Sequence, residues 1–314
     1  MVVHGCSRRI ICYRRVIRQR FPAIAGPWVT RRPAHPGRID WRRGRGPGRL
    51  TLVSRFEDLL AEGESVPVDG WDFSWFEGRA TEERPPWGYA RQLGARMAAL
   101  AGVPGAAALD LQTGGGEVLA AALAMGPAAP PTLVATESWP PNLAVARRNL
   151  ARFGARVVPV PEPGSDLPFP DQAFDLVVSR HPVRVRWDEV ARVLRPGGTY
   201  FSQDVGHPSV GELTGFMLGP QPEPDGPTRD PRWSVLAARQ AGLDVVDLRQ
   251  FRGRMAFNDV AAVAVFLRKV IWIVPGFTVA GYRDRLRALH EQIERDGPFV
   301  ATSVRFLIEA RKPG

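Results

Sequence analysis

The stretch ALDLQTGGGEVLAA (108–121) decides how this chain folds. An apolar run ends in an acid, Asp110, and is followed closely by three consecutive glycines and then by helix-forming residues. Glycine loses more conformational freedom on ordering than any other residue, so three in a row imply a backbone that something must approach closely. A strand leading through such a loop into a helix offers bare N–H groups and the positive end of a helix to a ligand carrying negative groups.

Outward from this loop, strand and helix patterns alternate. AAALDLQ (106–112) reads as a buried strand and GEVLAAALAM (116–125) as the helix it feeds. TLVATE (132–137) is a second strand, and PPNLAVARRNLARFG (140–154) a helix with proline near its start and Gly154 at its end. RVVPVP (156–161) and FDLVVSR (174–180) are further strands. WDEVARVLRPGG (187–198) reads as a helix closed by Pro196 and Gly197, and TYFSQDV (199–205) as a fifth strand. This alternation predicts right-handed crossovers and a parallel sheet covered on both faces. The rhythm then changes. A proline-rich loop at 219–231 precedes a helix near 232–241, a strand LDVVDLRQF (243–251), helices near 258–271 and 279–295, and a last strand ATSVRFLIEA (301–310).

In an open parallel sheet the ligand lies beyond the carboxyl ends of the strands. Glu137 closes the second strand, 21 residues after Gly116, where an acid accepts both hydroxyls of a ribose. That much suits either a dinucleotide or S-adenosylmethionine. A G-x-G-x-x-G match from Gly114 needs a small third residue at 119, and Leu119 stands there, which leans away from the dinucleotide. Asp166, just after the third strand, is placed to accept from an adenine amino group, with Leu167 against the ring.

These four segments, LDLQTGGGE (109–117), VATES (134–138), SDLPFPDQAFDLVV (165–178) and VLRPGG (193–198), together resemble the class I S-adenosylmethionine-dependent methyltransferases, in particular their small bacterial "type 11" group. The resemblance implies an α/β, Rossmann-like doubly wound sheet of seven strands, mostly parallel with one antiparallel strand, here 301–310. It implies S-adenosyl-L-methionine as cofactor, held by Asp110, Gly114, Gly115, Gly116, Glu137, Ser138, Asp166 and Leu167, with Tyr89 from the preceding segment. Gln112 stands where the family has its first glycine, at the methionine end of the cofactor.

Each of these residues also has an ordinary structural role open to it. Asp110 can cap the following helix, Glu137 can be a solvated strand end, and Asp166 can belong to a turn. The aromatics Trp71, Phe73, Trp75, Phe76, Trp87 and Tyr89 are commonly core. In VVSRHPV (177–183), His181 ends the fourth strand beside the glycine loop and is the candidate base, against a reading in which it only hydrogen-bonds its loop. His207 reads as a loop histidine near the pocket rim.

The formal net charge of +10 suggests a nucleic-acid partner until it is located. Residues 1–50 hold thirteen arginines and one acid, while the remainder carries 29 bases against 31 acids. The excess therefore sits in an arm, read as a tether for RNA, a targeting segment, or a disordered extension, the last matching its composition best. The expected organisation is the arm at 1–50 and a methyltransferase domain at 51–314. Within the domain, 51–104 is a helical and aromatic segment, 105–250 the cofactor-binding core, 251–298 a helical insertion walling the acceptor site, and 299–314 the last strand. Both cysteines, Cys6 and Cys12, lie in the arm, and the five histidines form no ligand pattern, so no metal is expected. The most apolar later stretch (260–277) is broken by Arg268 and Lys269 and is too short to span a bilayer. The sequence thus predicts a cytoplasmic enzyme methylating a small molecule. An RNA methyltransferase and a non-catalytic binder of the cofactor are its rivals.

Overall fold

The computed structural model describes residues 48–68, 73–222 and 229–314, with side chains from 55 onward. The arm and Trp71 lie outside the described residues, except that 48–50 open the first helix.

Helix α1 (Gly48–Ser65) and strand β1 (Ala80–Glu82) precede α2 (Tyr89–Ala101). The expected alternation follows as β2 (Ala107–Leu111), α3 (Glu117–Leu123), β3 (Thr132–Glu137), α4 (Pro140–Leu150), β4 (Arg156–Pro159), β5 (Phe174–Arg180), α5 (Trp187–Val193) and β6 (Leu194–Val205). The chain closes with α6 (Gly211–Leu218), α7 (Pro231–Gln240), β7 (Asp244–Phe257), α8 (Val260–Lys269), α9 (Arg283–Asp296) and β8 (Phe299–Arg311).

The strands form one sheet in the order β1-β7-β8-β6-β5-β2-β3-β4. Strands β2 to β6 pair in parallel, and β8 runs antiparallel between β6 and β7, as the resemblance implied. An eighth strand corrects the expected count of seven: β1 pairs antiparallel with β7 through Ala80↔Phe257, so two strands oppose the parallel set. A second difference concerns VLRPGG. The helix stops at Val193, and Leu194 already pairs with Phe174 before the register shifts at Leu176↔Thr199. The buried Leu194 is worth more in the sheet than in a helix end, and Gly197 (φ 77) absorbs the irregularity.

Period-2 alternation sends side chains to two cores. Ala108, Leu176, Val178, Phe201 and Leu307 pack under α2, α3 and α4, with Leu93, Met97 and Leu150. Leu109, Val177, Tyr200, Phe306 and Ile308 pack under α5 and α7, with Trp187 and Val190. A third core has no counterpart in the alternating part. Strands β7 and β8 continue past the end of β6, and Phe257, Phe299 and Ala301 on that extension are covered by α1, α6, α8 and α9. Every residue of α8 from Val260 to Leu267 is buried there, which explains its apolar run without a membrane. Among the described residues no helix is long and apolar enough to cross one.

Candidate active site

Asp110 is the fourth residue of β2, paired with Ala135 of β3 and Val178 of β5, and Leu111 stands opposite Ser179. Ser179 Oγ donates to Leu111 O at 2.8 Å, fastening the ends of β5 and β2 together. The chain then turns through Gln112 (φ 54), Gly114 (φ 63) and Gly116 (φ 78). Three left-handed residues at alternate positions keep the backbone on a path that glycine follows without strain. Gln112 follows it at a cost of about 1–2 kcal/mol. At Gly116 a Cβ would lie 2.9 Å from Leu150 of α4, so that glycine also permits close helix packing.

Glu137 holds this loop. Its Oε2 accepts from Gly114 N at 2.7 Å, and its Oε1 accepts from Ser138 N and Trp139 N at 2.8 and 2.9 Å. The carboxylate is 6% exposed, yet these three bonds use most of its acceptor capacity. Asp110 accepts from Thr113 Oγ1 at 2.6 Å. Burial pushes its pKa up to about 7; the Thr113 hydroxyl opposes this, and the charge of Glu137 adds to it. Asn149 Nδ2 donates to Gly115 O at 2.8 Å. Glycine loop, Asp110, Glu137 and Ser138 are thus together. Asp166 stands apart, its side chain 85% exposed and paired with Arg186 at 3.2 Å. Leu167 lies nearby, half-buried, its N–H given to Glu189 Oε2 at 2.6 Å.

Gln112 spans the site. Its Oε1 accepts from Val183 N at 2.7 Å, and its Nε2 donates to Arg184 O at 2.6 Å. The side chain therefore clasps the loop after β5 as a neighbouring strand would.

On the other side of β5, Tyr89 donates from its hydroxyl to Ser179 O at 2.7 Å and stacks on Phe201 with ring centroids 5.2 Å apart. His181 (φ 54) donates its backbone N–H to Gln203 O at 2.7 Å, and its Nε2 lies 3.1 Å from Gln203 Nε2. Trp87 Nε1 donates to Gln203 Oε1 at 2.7 Å. An indole nitrogen only donates, so Gln203 presents its oxygen to Trp87 and its NH2 to His181. The imidazole Nε2 is then an acceptor, and the neutral ring carries its proton on Nδ1. Burial lowers the His181 pKa well below 6.5, and the charges of Arg180, Arg305 and Arg229 lower it further. His207 donates its backbone N–H to Arg229 O at 3.2 Å.

Sequence reasoning missed Trp87 and Gln203 as a pair, since only the fold brings them together. It also missed Arg305. A basic residue inside the apolar run SVRFLI (303–308) was the available signal: Arg305 is 9% exposed. Among the described residues no three histidine, cysteine or carboxylate side chains gather as a metal site would need.

A doubly wound sheet with a glycine loop at its switch point and a buried acid on the next strand is a Rossmann-like cofactor site. Residues 109–202 match the family model described as a methyltransferase domain. No curated protein matches the sequence. Among solved structures, the chain resembles a putative methyltransferase from Bacillus halodurans, with 19% identity, TM-score 0.47, and coverage of 70% of this chain and 99% of that one. The YcgJ protein from Bacillus subtilis gives 20%, 0.47, 71% and 99%. A putative sarcosine dimethylglycine methyltransferase from Galdieria sulphuraria gives 16%, 0.44, 83% and 98%.

The groups here suit S-adenosylmethionine: a buried acid tied to a glycine loop that carries no side chains, and half-buried Leu167 across the cleft. The space is smaller. The cleft between Gln112, Thr136, Val160, Leu167 and Arg184 holds about 30 Å³, against ~300–1,000 Å³ for a small-molecule site. Gln112 and Arg184, joined by the clasp, both line it.

Proposed function

We propose that this chain transfers a methyl group from S-adenosylmethionine to a small-molecule acceptor in the cytoplasm, and that the clasp of Gln112 opens to admit the cofactor. One observation carries this reading: Gln112 keeps the left-handed backbone of a glycine loop (φ 54), and Glu137 is wired to that loop at Gly114. A loop this strained persists only where the surrounding structure over-determines it, and such strain gathers at ligand sites.

In this reading Gly114, Gly115 and Gly116 bring bare backbone to the cofactor. Glu137 and Ser138 serve its ribose, Asp166 and Leu167 its adenine, and Asp110 the loop's polarity. Tyr89 sets the end of β5 through Ser179. Bound S-adenosylmethionine supplies an electrophilic methyl group for in-line displacement. The protein's part is to align the acceptor, exclude water and take a proton where the acceptor has one to lose. His181 is the proposed base. It is held neutral, the state a base requires, and it accepts a proton at Nε2 once Gln203 gives up that lone pair. The segment between β7 and β8 walls the acceptor side in this reading through Trp272, in the turn after α8, which lies under the Arg229 guanidinium at 5.3 Å.

A non-catalytic cofactor-binding protein is the second reading, favoured by the two hydrogen bonds that Gln112 makes across the cleft. Transfer of label from methyl-labelled cofactor into fractionated cell extract separates the two. Labelled product supports the enzyme; binding without any labelled product supports the second reading.

A further inference from the structure

One edge of the sheet is open. β7 pairs with β8 from Asp244 to Phe257, but on its other side β1 covers only Met255, Ala256 and Phe257. Among the described residues no strand lies beside the earlier part of β7. The direction of its free backbone groups follows from their neighbours. Arg254 O accepts from Glu83 N at 2.9 Å, and Arg254 N donates to Glu83 Oε2 at 2.8 Å, so this residue turns its backbone away from β8. Val304, opposite Arg252, donates its N–H to Ser209 Oγ and accepts at its C=O from Gly206 N, toward the chain leaving β6. Arg252 therefore faces outward as well. Pairing is regular from Asp247 to Phe257, and backbone groups alternate in direction along an antiparallel strand. Leu248, Gln250 and Arg252 thus present N–H and C=O groups along the open edge, a template for a further strand.

Apolar side chains gather beside this edge. Leu248 stands opposite Ile308, which packs under α7, and α7 itself packs on β7. Trp233 and Leu236 of α7 are 42% and 45% exposed, and Val246 and Leu248 of β7 are 52% and 37% exposed. Trp233 and Leu236 lie three residues apart, on one side of their helix. Single exposed apolar groups need no explanation, but four on two packed elements mark an interaction surface.

The other face of the same edge carries charge. Asp247 stands opposite Glu309, which binds Arg96 of α2, and Arg249 stands opposite Leu307. Arg249 Nη2 meets Asp247 Oδ2 at 2.7 Å, and this pair leaves the Arg249 side chain 51% exposed. These charges select what fits. A second copy related by a two-fold axis runs antiparallel along the edge. With the axis at Leu248, Asp247 of each copy faces Arg249 of the other. Moving the axis one residue either way sets Arg249 against Arg249 or Asp247 against Asp247, which is unfavourable.

We propose that this edge binds a second copy of the chain, the two β7 strands pairing antiparallel about a two-fold axis at Leu248 to make one continuous sheet. Leu248 exchanges backbone hydrogen bonds with Leu248 of the other copy. Trp233 and Leu236 of the two α7 helices close over one face of the seam, and two Asp247–Arg249 pairs close over the other. The surface is self-complementary, as a two-fold interface requires.

Sedimentation velocity of the full chain in reducing buffer tests this, comparing the parent with Asp247→Arg and Arg249→Asp. The parent should form dimers that dissociate on dilution. Each variant alone sets like charges face to face at both cross-strand positions and should raise the dimer dissociation constant by about tenfold or more. An equal mixture of the two variants should restore dimers containing one copy of each, because opposite charges again meet at both positions. A variant that had merely lost its structure would not be restored by mixing. Hydrogen exchange of the Leu248, Gln250 and Arg252 amides of the parent should slow as concentration rises. A parent that stays monomeric, dimers indifferent to both substitutions, or a mixture that stays monomeric overturns the proposal. Slow exchange of these amides in a monomer assigns the edge to another segment of this chain and overturns it too.

Discussion

Gln203 donates from its side-chain amide to His181 Nε2 at 3.1 Å, and this single bond sets the chemistry of the histidine. Its direction is fixed by Trp87, which occupies the amide oxygen. His181 is therefore a neutral imidazole with its proton on Nδ1, in a desolvated place among three arginines.

The first prediction follows from that state. Because its pKa is lowered well below 6.5, His181 should remain neutral throughout neutral and mildly acidic pH. Nitrogen NMR of the ring should report the Nδ1–H tautomer with no titration near pH 6.5. If His181 is the base, His181→Ala should cut turnover by about 10²–10⁴-fold with cofactor binding intact. The parent's rate should then be flat with pH around neutrality. A histidine titrating near 6.5 would mean that the ring is solvated and not held as described.

Glu137 should matter to stability before any cofactor is present. Glu137→Ala orphans the N–H groups of Gly114, Ser138 and Trp139, a loss of roughly 1–3 kcal/mol for each buried donor that water cannot reach. Urea unfolding of the cofactor-free protein should show a lower midpoint than in the parent, with Glu137→Gln intermediate. An unchanged midpoint would mean that the carboxylate does not hold the loop.

Asp204 gives a pH-dependent prediction. Its folded pKa of about 7 lies above the ordinary aspartate value of 3.8, so the folded state holds this proton more tightly than the unfolded chain does. Stability from this group is complete at pH below about 4 and is lost as pH rises toward 7. Asp204→Asn removes the buried charge, so its melting temperature relative to the parent should climb between pH 4 and pH 7 and level off above. A constant difference across that range would show that Asp204 does not titrate there. Asp110, also raised to about 7, acts in the same direction in both proteins and cancels in the comparison.

Where period and flanking residues were decisive, the sequence was a good guide. β3 has the boundaries its apolar run predicts, and the ends of β5 match FDLVVSR. Both are fully committed to a buried parallel sheet, so local pattern and tertiary packing agree. β1 was not legible because three residues, ATE, carry no period; only its pairing with β7 makes it a strand. The early start of β6 was hidden because Pro196 and Gly197 signal a turn, which the structure realises as an irregularity inside a strand. At the site, the glycines and Glu137 were visible because their spacing is local. The clasp of Gln112 on Val183 and Arg184, 71 and 72 residues away, was not.

The central claim is that the glycine loop binds S-adenosylmethionine once Gln112 yields. Gln112→Gly removes both hydrogen bonds across the cleft, relieves the left-handed strain and restores a bare backbone. Calorimetric titration of S-adenosylmethionine into the parent and this variant tests the claim directly. The account predicts binding to both, tighter in Gln112→Gly by about tenfold or more, the worth of roughly two net hydrogen bonds no longer broken on entry. Equal or weaker affinity in Gln112→Gly would contradict the clasp, and absence of binding in both proteins would contradict the cofactor site itself.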